Sequence, residues 1–532
     1  MSGLPTIRPS EEKAFPLAFS RLATTPCQDV FVTFLLAEWQ ASLYSSGMRG
    51  FGGKYGRDGG RKTMSWGRRW AALVVLAAAT VAGPARARAQ GNMAAEKVPF
   101  TYYKLPNGLK VVLSQDKSAP IIAVGVYYQI GFRIEPRDRT GFAHLFEHMM
   151  FQGSQNLGKM QFIQLIQKNG GILNGSTRFD FTNYYEALPS NTLETVLWAE
   201  ADRMRGLDIT EANLTNQKGV VTNEVKVNVI NQPYGGFPWL DMPQYANVNW
   251  YNAHNFYGDL KDIEAATLED VISFHKTYYS PNNAVLAVVG DFSEDQAKAW
   301  VQKYFAKIPS SDLPARPDLT EPEQTIEKHA TKEDKLAKKP ALAFAYHMPE
   351  RLTKDWYAMG LLDQVLLQGD DSLLVQEIVK KRGYAGSVDG GINQLGNLYD
   401  YRGPMLFTGS LIHDDTVSTA QIMSAVDGVV QGVIDQPLDA ATLRRAQTKL
   451  VSALYDQEGD MGLGKVDLLA SFALFDDNPG LINTLVESFN RLTPADLQET
   501  AKKYLRPQNR TVLEITVASK PVGAHGAAPG GR

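Results

Sequence analysis

Gly141-Phe142-Ala143-His144-Leu145-Phe146-Glu147-His148-Met149-Met150-Phe151-Gln152-Gly153 is the stretch on which the reading of this chain turns. No helix breaker falls between Phe142 and Gln152, so the segment is predicted to be helical. His144 and His148, four residues apart, then project from one face a turn apart, and both imidazoles can reach a single Zn2+ at about 2.0–2.1 Å. Glu147, three residues after His144, lies beside the same point and is placed to take a proton from an attacking water rather than to bind the metal. This H-x-x-E-H order inverts the commoner H-E-x-x-H zinc signature. His is scarce, 8 in 532 residues, so the pairing carries weight. Leu145, Phe146, Met149, Met150 and Phe151 surround the triplet with apolar side chains, a dry shell in which electrostatic effects are strong.

Composition narrows the chemistry further. Fifty-four Lys+Arg against 57 Asp+Glu give a net charge of −3, which excludes a general nucleic-acid binder. With 44% hydrophobic and 21% charged residues the chain is of globular type, and its length predicts more than one domain. The single Cys27 excludes a disulfide framework and any multi-thiolate site, so a metal must be held by His and carboxylate. Two His need a third protein ligand if one position is to stay open. A carboxylate on another helix is expected, and Glu224 in Gly219-Val220-Val221-Thr222-Asn223-Glu224-Val225 is the best placed; spacing alone does not single it out.

Upstream, Met64 to Trp70 is a short basic start, Ala71 to Gly83 an apolar run, and Ala87-Arg88-Ala89 a small-x-small exit. The run is too short for the ~20 residues that span a bilayer. Residues 64–89 therefore read as a secretory signal peptide, and residues 1–63 as an upstream extension of the gene reading, with the true start at Met64 or Met48. Cleavage after Ala89 removes Cys27 with the leader, which suits an oxidising compartment. The expectation is an exported product, periplasmic or else secreted, with no membrane span after signal removal.

From Phe100 strand and helix signals alternate. Leu105 to Leu109 reads as a hairpin turn with Asn107-Gly108 supplying positive φ angles. Ile121 to Ile130 and Ala284 to Val289 read as strands, Leu157 to Lys168 and Asn191 to Met204 as helices. Tyr102-Tyr103, Tyr127-Tyr128 and Tyr184-Tyr185 read as strand pairs with one ring in and one out. Residues 96–308 form a first half. Residues 309–340, rich in Pro, Lys, Glu, Asp and Thr, read as a solvated linker. Residues 341–519 form a second half of similar element order, which suggests a duplication, and 520–532 a Gly/Ala/Pro tail. His254, His275, His329, His347, His413 and His525 stand outside any ligand spacing.

Gly141 to Ser154 resembles the zinc motif of the insulinase/pitrilysin family, which includes the mitochondrial processing peptidase. Asn174-Gly175-Ser176-Thr177, then Asp180, Thr182 and Tyr184, resemble the family's substrate-binding edge strand; Trp198 to Met204 and Pro281 to Asp291 also match. The resemblance implies an α+β fold of two similar halves, each an antiparallel sheet covered by helices, enclosing a chamber. It implies Zn2+ on His144, His148 and Glu224, with Glu147 as general base. It implies a peptide substrate added as a strand beside Leu173 to Thr177, with Asn174, Gly175, Ser176 and Thr177 as contacts. Many relatives have Ala where Gly175 stands. Gln217 stands where relatives often carry a Glu that supports a ligand imidazole. An Arg and a Tyr, seven apart in the second half of relatives and similar to clamps on the substrate carbonyl, correspond here to Val379 and Gly386; Arg382 and Tyr384 do not restore the spacing. The reading is therefore a zinc metalloendopeptidase for small or unfolded peptides. This chain would be the zinc-carrying subunit of a heterodimer whose paralogous partner supplies Arg and Tyr, or else of a homodimer. The competing reading is a non-catalytic structural or assembly subunit of the same fold.

Overall fold

The computed structural model describes residues 97–459 and 461–518, all within one compact unit. The expected leader, the upstream extension and the C-terminal tail lie outside the described residues. Among the described residues, no helix is long and apolar enough to cross a membrane.

The Asn-Gly turn forms: β1 (Thr101–Lys104) pairs antiparallel with β2 (Lys110–Gln115). Only Gly108 takes a positive φ, 89°. Asn107, expected to share that role, instead sends Nδ2 to the carbonyls of Phe305 and Ile308 (2.9 and 2.8 Å) and ties the turn to the end of its half. The first half continues through β3 (Ile121–Tyr128), α1 (Phe142–Met149), α2 (Gln161–Lys168), β4 (Ile172–Thr177), β5 (Thr182–Pro189), α3 (Leu193–Arg205) and α4 (Glu211–Val225). After α5 (Leu268–Tyr278), β6 (Ala284–Gly290) and α6 (Glu294–Phe305) close it. The second half contains β7 (Lys328–Asp334), β8 (Ala341–His347), α7 (Lys354–Leu366), β9 (Asp389–Ile392), β10 (Leu406–Ile412), α8 (Thr419–Asp435), α9 (Ala440–Gly459), α10 (Leu463–Asp476), α11 (Pro494–Tyr504) and β11 (Arg510–Val517).

The sheet orders are β1-β2-β6-β3-β5-β4 and β7-β11-β8-β10-β9. Leaving out β1, they are the same path: one parallel pair (β2 with β6, β7 with β11) and antiparallel pairs beyond it. Small details repeat as well. Thr267 and Thr493 open α5 and α11 with reciprocal caps to Asp270 and Asp496. Each helix then meets a Pro-led turn, where Asn283 and Asn509 donate back to the carbonyls of Tyr278 and Tyr504 (2.9 and 2.8 Å). The α+β fold of two similar halves is as expected. One boundary differs: the tract 309–340, read as linker, contributes β7. Its side chains alternate half-buried and exposed, and its backbone pairs along the whole of β11, so few apolar residues were needed to hold it in the sheet.

The halves also complete each other's cores. Helix α10 lies across β2, β3 and β6 of the first sheet, and the short helix Met242–Ala246 of the first half packs on Ala341, Ala343, Ala345, Leu513 and Ile515 of the second. Gly125 makes the first contact possible, because a Cβ there would stand 2.5 Å from Val466 Cγ1. This two-sided cover corrects the expectation for Tyr127-Tyr128. Both rings are buried, Tyr127 bonding Asp467 of α10 (2.9 Å) and Tyr128 packing on Tyr279 of the opposite layer (4.6 Å).

Candidate metal centre

Helix α1 begins at Gly141, whose φ of 82° lets the chain turn in against the carbonyl of Tyr257, where a Cβ would stand at 2.4 Å. A glycine N-cap has no side chain to offer the first N–H groups, so they must be met from elsewhere. Glu135 meets them: its buried carboxylate accepts from Gly141 N (2.8 Å) and Ala143 N (2.5 Å). Burial pushes the Glu135 carboxyl above its ordinary range, although His254, 3.8 Å away, and the two amides draw it back. Negative charge at a helix N-terminus is favourable.

All eight residues of α1 are buried. His144 and His148 face α4, and there Glu224 completes a group of three donors. The separations are His144 Nε2 to His148 Nε2 3.3 Å, His148 Nε2 to Glu224 Oε2 3.3 Å and His144 Nε2 to Glu224 Oε1 3.5 Å. A tetrahedron with bonds of about 2.0–2.1 Å has edges of about 3.3–3.4 Å, so these donors fit a zinc ion. Burial alone would raise the Glu224 carboxyl, but the two imidazoles hold it well below the usual carboxylate range. Burial likewise opposes the charged form of His144, and Glu224 outweighs it, leaving that imidazole above its ordinary value. Two imidazoles and a carboxylate this close favour opposite charges on one another.

Around the donors stand side chains that sequence reasoning missed. Tyr257 Oη donates to Glu224 Oε1 (3.2 Å), and the rings of Phe256 and Tyr257 both pack 5.1 Å from that of His144. Glu135 was also missed; the glycine that opens α1 was the signal that a cap had to come from another residue.

The edge strand divides into two roles. β4 pairs only with β5 among the described strands, so its other edge is open along Ile172–Thr177. Asn174 and Ser176 are half-buried, with Asn174 Oδ1 on Gly175 N (2.9 Å) and Ser176 Oγ on Asn183 Oδ1 (2.6 Å). Gly175 leaves room for the Tyr184 ring, from which a Cβ would be 3.1 Å. Thr177, expected to touch the peptide, is buried and donates instead to Glu147 Oε2 (2.7 Å), because every second side chain of β4 turns toward α1. Gln217 is buried with Nε2 on Asn216 Oδ1 (2.9 Å). It does not reach His144 Nδ1, which has no hydrogen-bond partner. Asp180 and Thr182 are structural. Asp180 accepts from the backbone of Arg402 and Gly403 across the halves, and Thr182 bonds Ile130 O. Of the second-half residues, Val379 packs against the core and Gly386 is exposed. Arg382 binds Glu377 (2.7 Å) and Tyr384 (3.3 Å).

A duplicated α+β fold with a His/His/Glu donor set and a neighbouring carboxylate is an arrangement that suits a metallopeptidase. Comparison with known proteins supports a metallopeptidase at the level of the family. Residues 110–234 match the insulinase family (peptidase family M16), and residues 265–450 match the peptidase M16 inactive domain. The chain belongs to the insulinase/pitrilysin-like family. It is similar to the zinc protease PqqE of Helicobacter pylori, 30% identical over 52% of this chain and 63% of that one. It is also similar to the mitochondrial-processing peptidase subunit beta of Bos taurus, 27% identical over 40% and 44%. The alignments thus span less than two thirds of these relatives' length. In fold it is similar to the crystal structure of a protease from Helicobacter pylori, with a TM-score of 0.73, 24% identity, and 79% of this chain and 99% of that one covered.

Proposed function

We propose that this M16 peptidase is an active zinc-dependent endopeptidase acting on small or unfolded peptides. The observation that carries the reading is the donor triangle of His144, His148 and Glu224 with the edges of a zinc tetrahedron, next to a Glu147 held in place by Thr177. Zinc, when bound there, would polarise the scissile carbonyl and the attacking water. Glu147 accepts a proton from that water and returns it to the leaving amine. Thr177 occupies Oε2 and so fixes which carboxylate oxygen does the work. The open edge of β4 takes the substrate as an added strand through backbone hydrogen bonds, which are indifferent to side-chain identity. Phe256, Tyr257 and the apolar residues of α1 keep the donors dry.

The same reading extends to a heterodimer, in which a paralogous subunit supplies the Arg and Tyr that Val379 and Gly386 do not, and to export into the periplasm. The decisive experiment is metal analysis with peptide cleavage, on wild type and Glu147→Gln, alone and with the co-expressed paralogue. Stoichiometric zinc in both proteins with cleavage lost only in the variant supports the enzyme. Wild-type protein that binds no zinc would make it a structural subunit, and full activity of the lone chain as a monomer would remove the partner.

A further inference from the structure

Helix α1 is held at its open end by Glu135, and Glu135 in turn stands beside His254. Glu135 is wholly buried and spends both oxygens on Gly141 N and Ala143 N; the next residue along the helix is the donor His144. A carboxylate at such depth is costly unless a cation answers it, and two amide N–H groups do not cancel its charge. The imidazole of His254 is placed to do so, with Nε2 3.8 Å from Glu135 Oε2 and a side chain 7% exposed.

The hydrogen bonds of His254 show which form it takes. Nε2 meets the carbonyl of Phe132 at 2.6 Å, and Nδ1 meets that of Trp250 at 3.1 Å. A carbonyl oxygen only accepts, so each ring nitrogen must carry a proton, and an imidazole with both protons is a cation. Either neutral tautomer would set a ring lone pair against a carbonyl lone pair. The surroundings suit the charge: the Trp250 ring lies parallel to that of His254, with centroids 4.2 Å and planes 7° apart. The other titratable groups at this corner are Arg137, which stands over Trp250 (5.0 Å), and Asp262, which accepts from Thr140 N (3.1 Å). The charge of Glu135 is also felt by Tyr278, Tyr279 and His144.

We propose that His254 is a positioning residue, a buried imidazolium that keeps Glu135 ionised over the first turn of α1 and so holds His144 in place for the metal. Its bearing on catalysis rests on the peptidase reading; the ion pair and its effect on metal binding do not.

Two readouts on the full chain test this. The first is nitrogen NMR with labelled histidine near neutral pH, the His254 signals being identified by their loss in His254→Gln. Both ring nitrogens should appear protonated in the wild type, and one should lose its proton in Glu135→Gln. Should His254→Gln not fold, Trp250→Phe keeps the backbone carbonyl and marks the same signals by a change in ring-current shift. An unprotonated nitrogen in the wild type, or an unchanged pair in Glu135→Gln, overturns the proposal. The second readout is the Kd for zinc, by competition with a chelating dye. Glu135→Gln and His254→Gln should each weaken binding about tenfold. The double variant should be no weaker than Glu135→Gln, because without the acid the cation has nothing to hold. A ring that merely fills space against Trp250 would cost the same in both backgrounds, so additive losses overturn the proposal. A wild type that binds no zinc overturns it together with the peptidase reading, whereas one that holds zinc and cleaves nothing sinks that reading alone.

Discussion

Helices α1 and α7 occupy the same place in the two halves, each following the third strand of the shared path, and they hold opposite contents. In α1, His144, Glu147 and His148 are buried polar groups, two of them facing Glu224 and one pinned by Thr177. In α7 the buried face is Trp356, Met359, Leu361 and Leu362, with one acid, Asp363. Asp363 accepts from Gln368 Nε2 (3.0 Å) and lies beside Gly391 of β9, the strand equivalent to β4. Burial pushes its carboxyl up to about 7. The fold thus accommodates a buried acid at this helix in two ways, by surrounding it with metal donors or by letting it take up a proton. The chemistry of α1 is therefore an addition to the architecture and not a requirement of it.

Four measurements would break or sharpen that contrast. Glu147→Gln should lower kcat by about 10²- to 10⁴-fold with zinc retained, while Asp363→Asn leaves kcat unchanged; equal losses would end the asymmetry. Glu224→Ala should leave zinc substoichiometric after dialysis, since two imidazoles remain; undiminished zinc would show a different third ligand. Thr177→Val, which removes the bond to Glu147 but keeps the shape, should lower kcat about tenfold with KM little changed, and Thr177→Ser should restore it. A change confined to KM would return Thr177 to substrate binding. Last, a raised acid favours the protonated fold, so the stability of the wild type should fall as pH rises from about 4 to about 7 on account of Asp363. Asp363→Asn should match the wild type near pH 4 and exceed it by a few kcal/mol at pH 8 in urea titrations. A variant less stable at pH 8 would mean the carboxylate is held charged.

Much of this was legible in the residues. The spacing of His144, Glu147 and His148 dictates a shared helical face, and Asn107-Gly108 dictates a turn. What was not legible depends on distant chain. Glu135 lies outside any local cap pattern, and Tyr257 meets Glu224 only after the chain has turned back on α1. Thr177 was expected to be a substrate contact because Asn174 to Thr177 resemble the family's edge strand; its own direction follows from strand alternation against a helix that sequence cannot place. Strand β7 was hidden because an edge strand with charged side chains has the composition of a linker, and the burial of the second ring of Tyr127-Tyr128 depended on whether a second layer covered the sheet.

The exchange of helices between the halves has a bearing on how such a protein can change. A half that performs no chemistry would ordinarily be free to shrink or vanish. Here α10 is the back wall of the first sheet, and Met242–Ala246 is a wall of the second. Deleting either partner would strip its neighbour to bare apolar strands, so each half is needed as lining for the other whatever chemistry it performs.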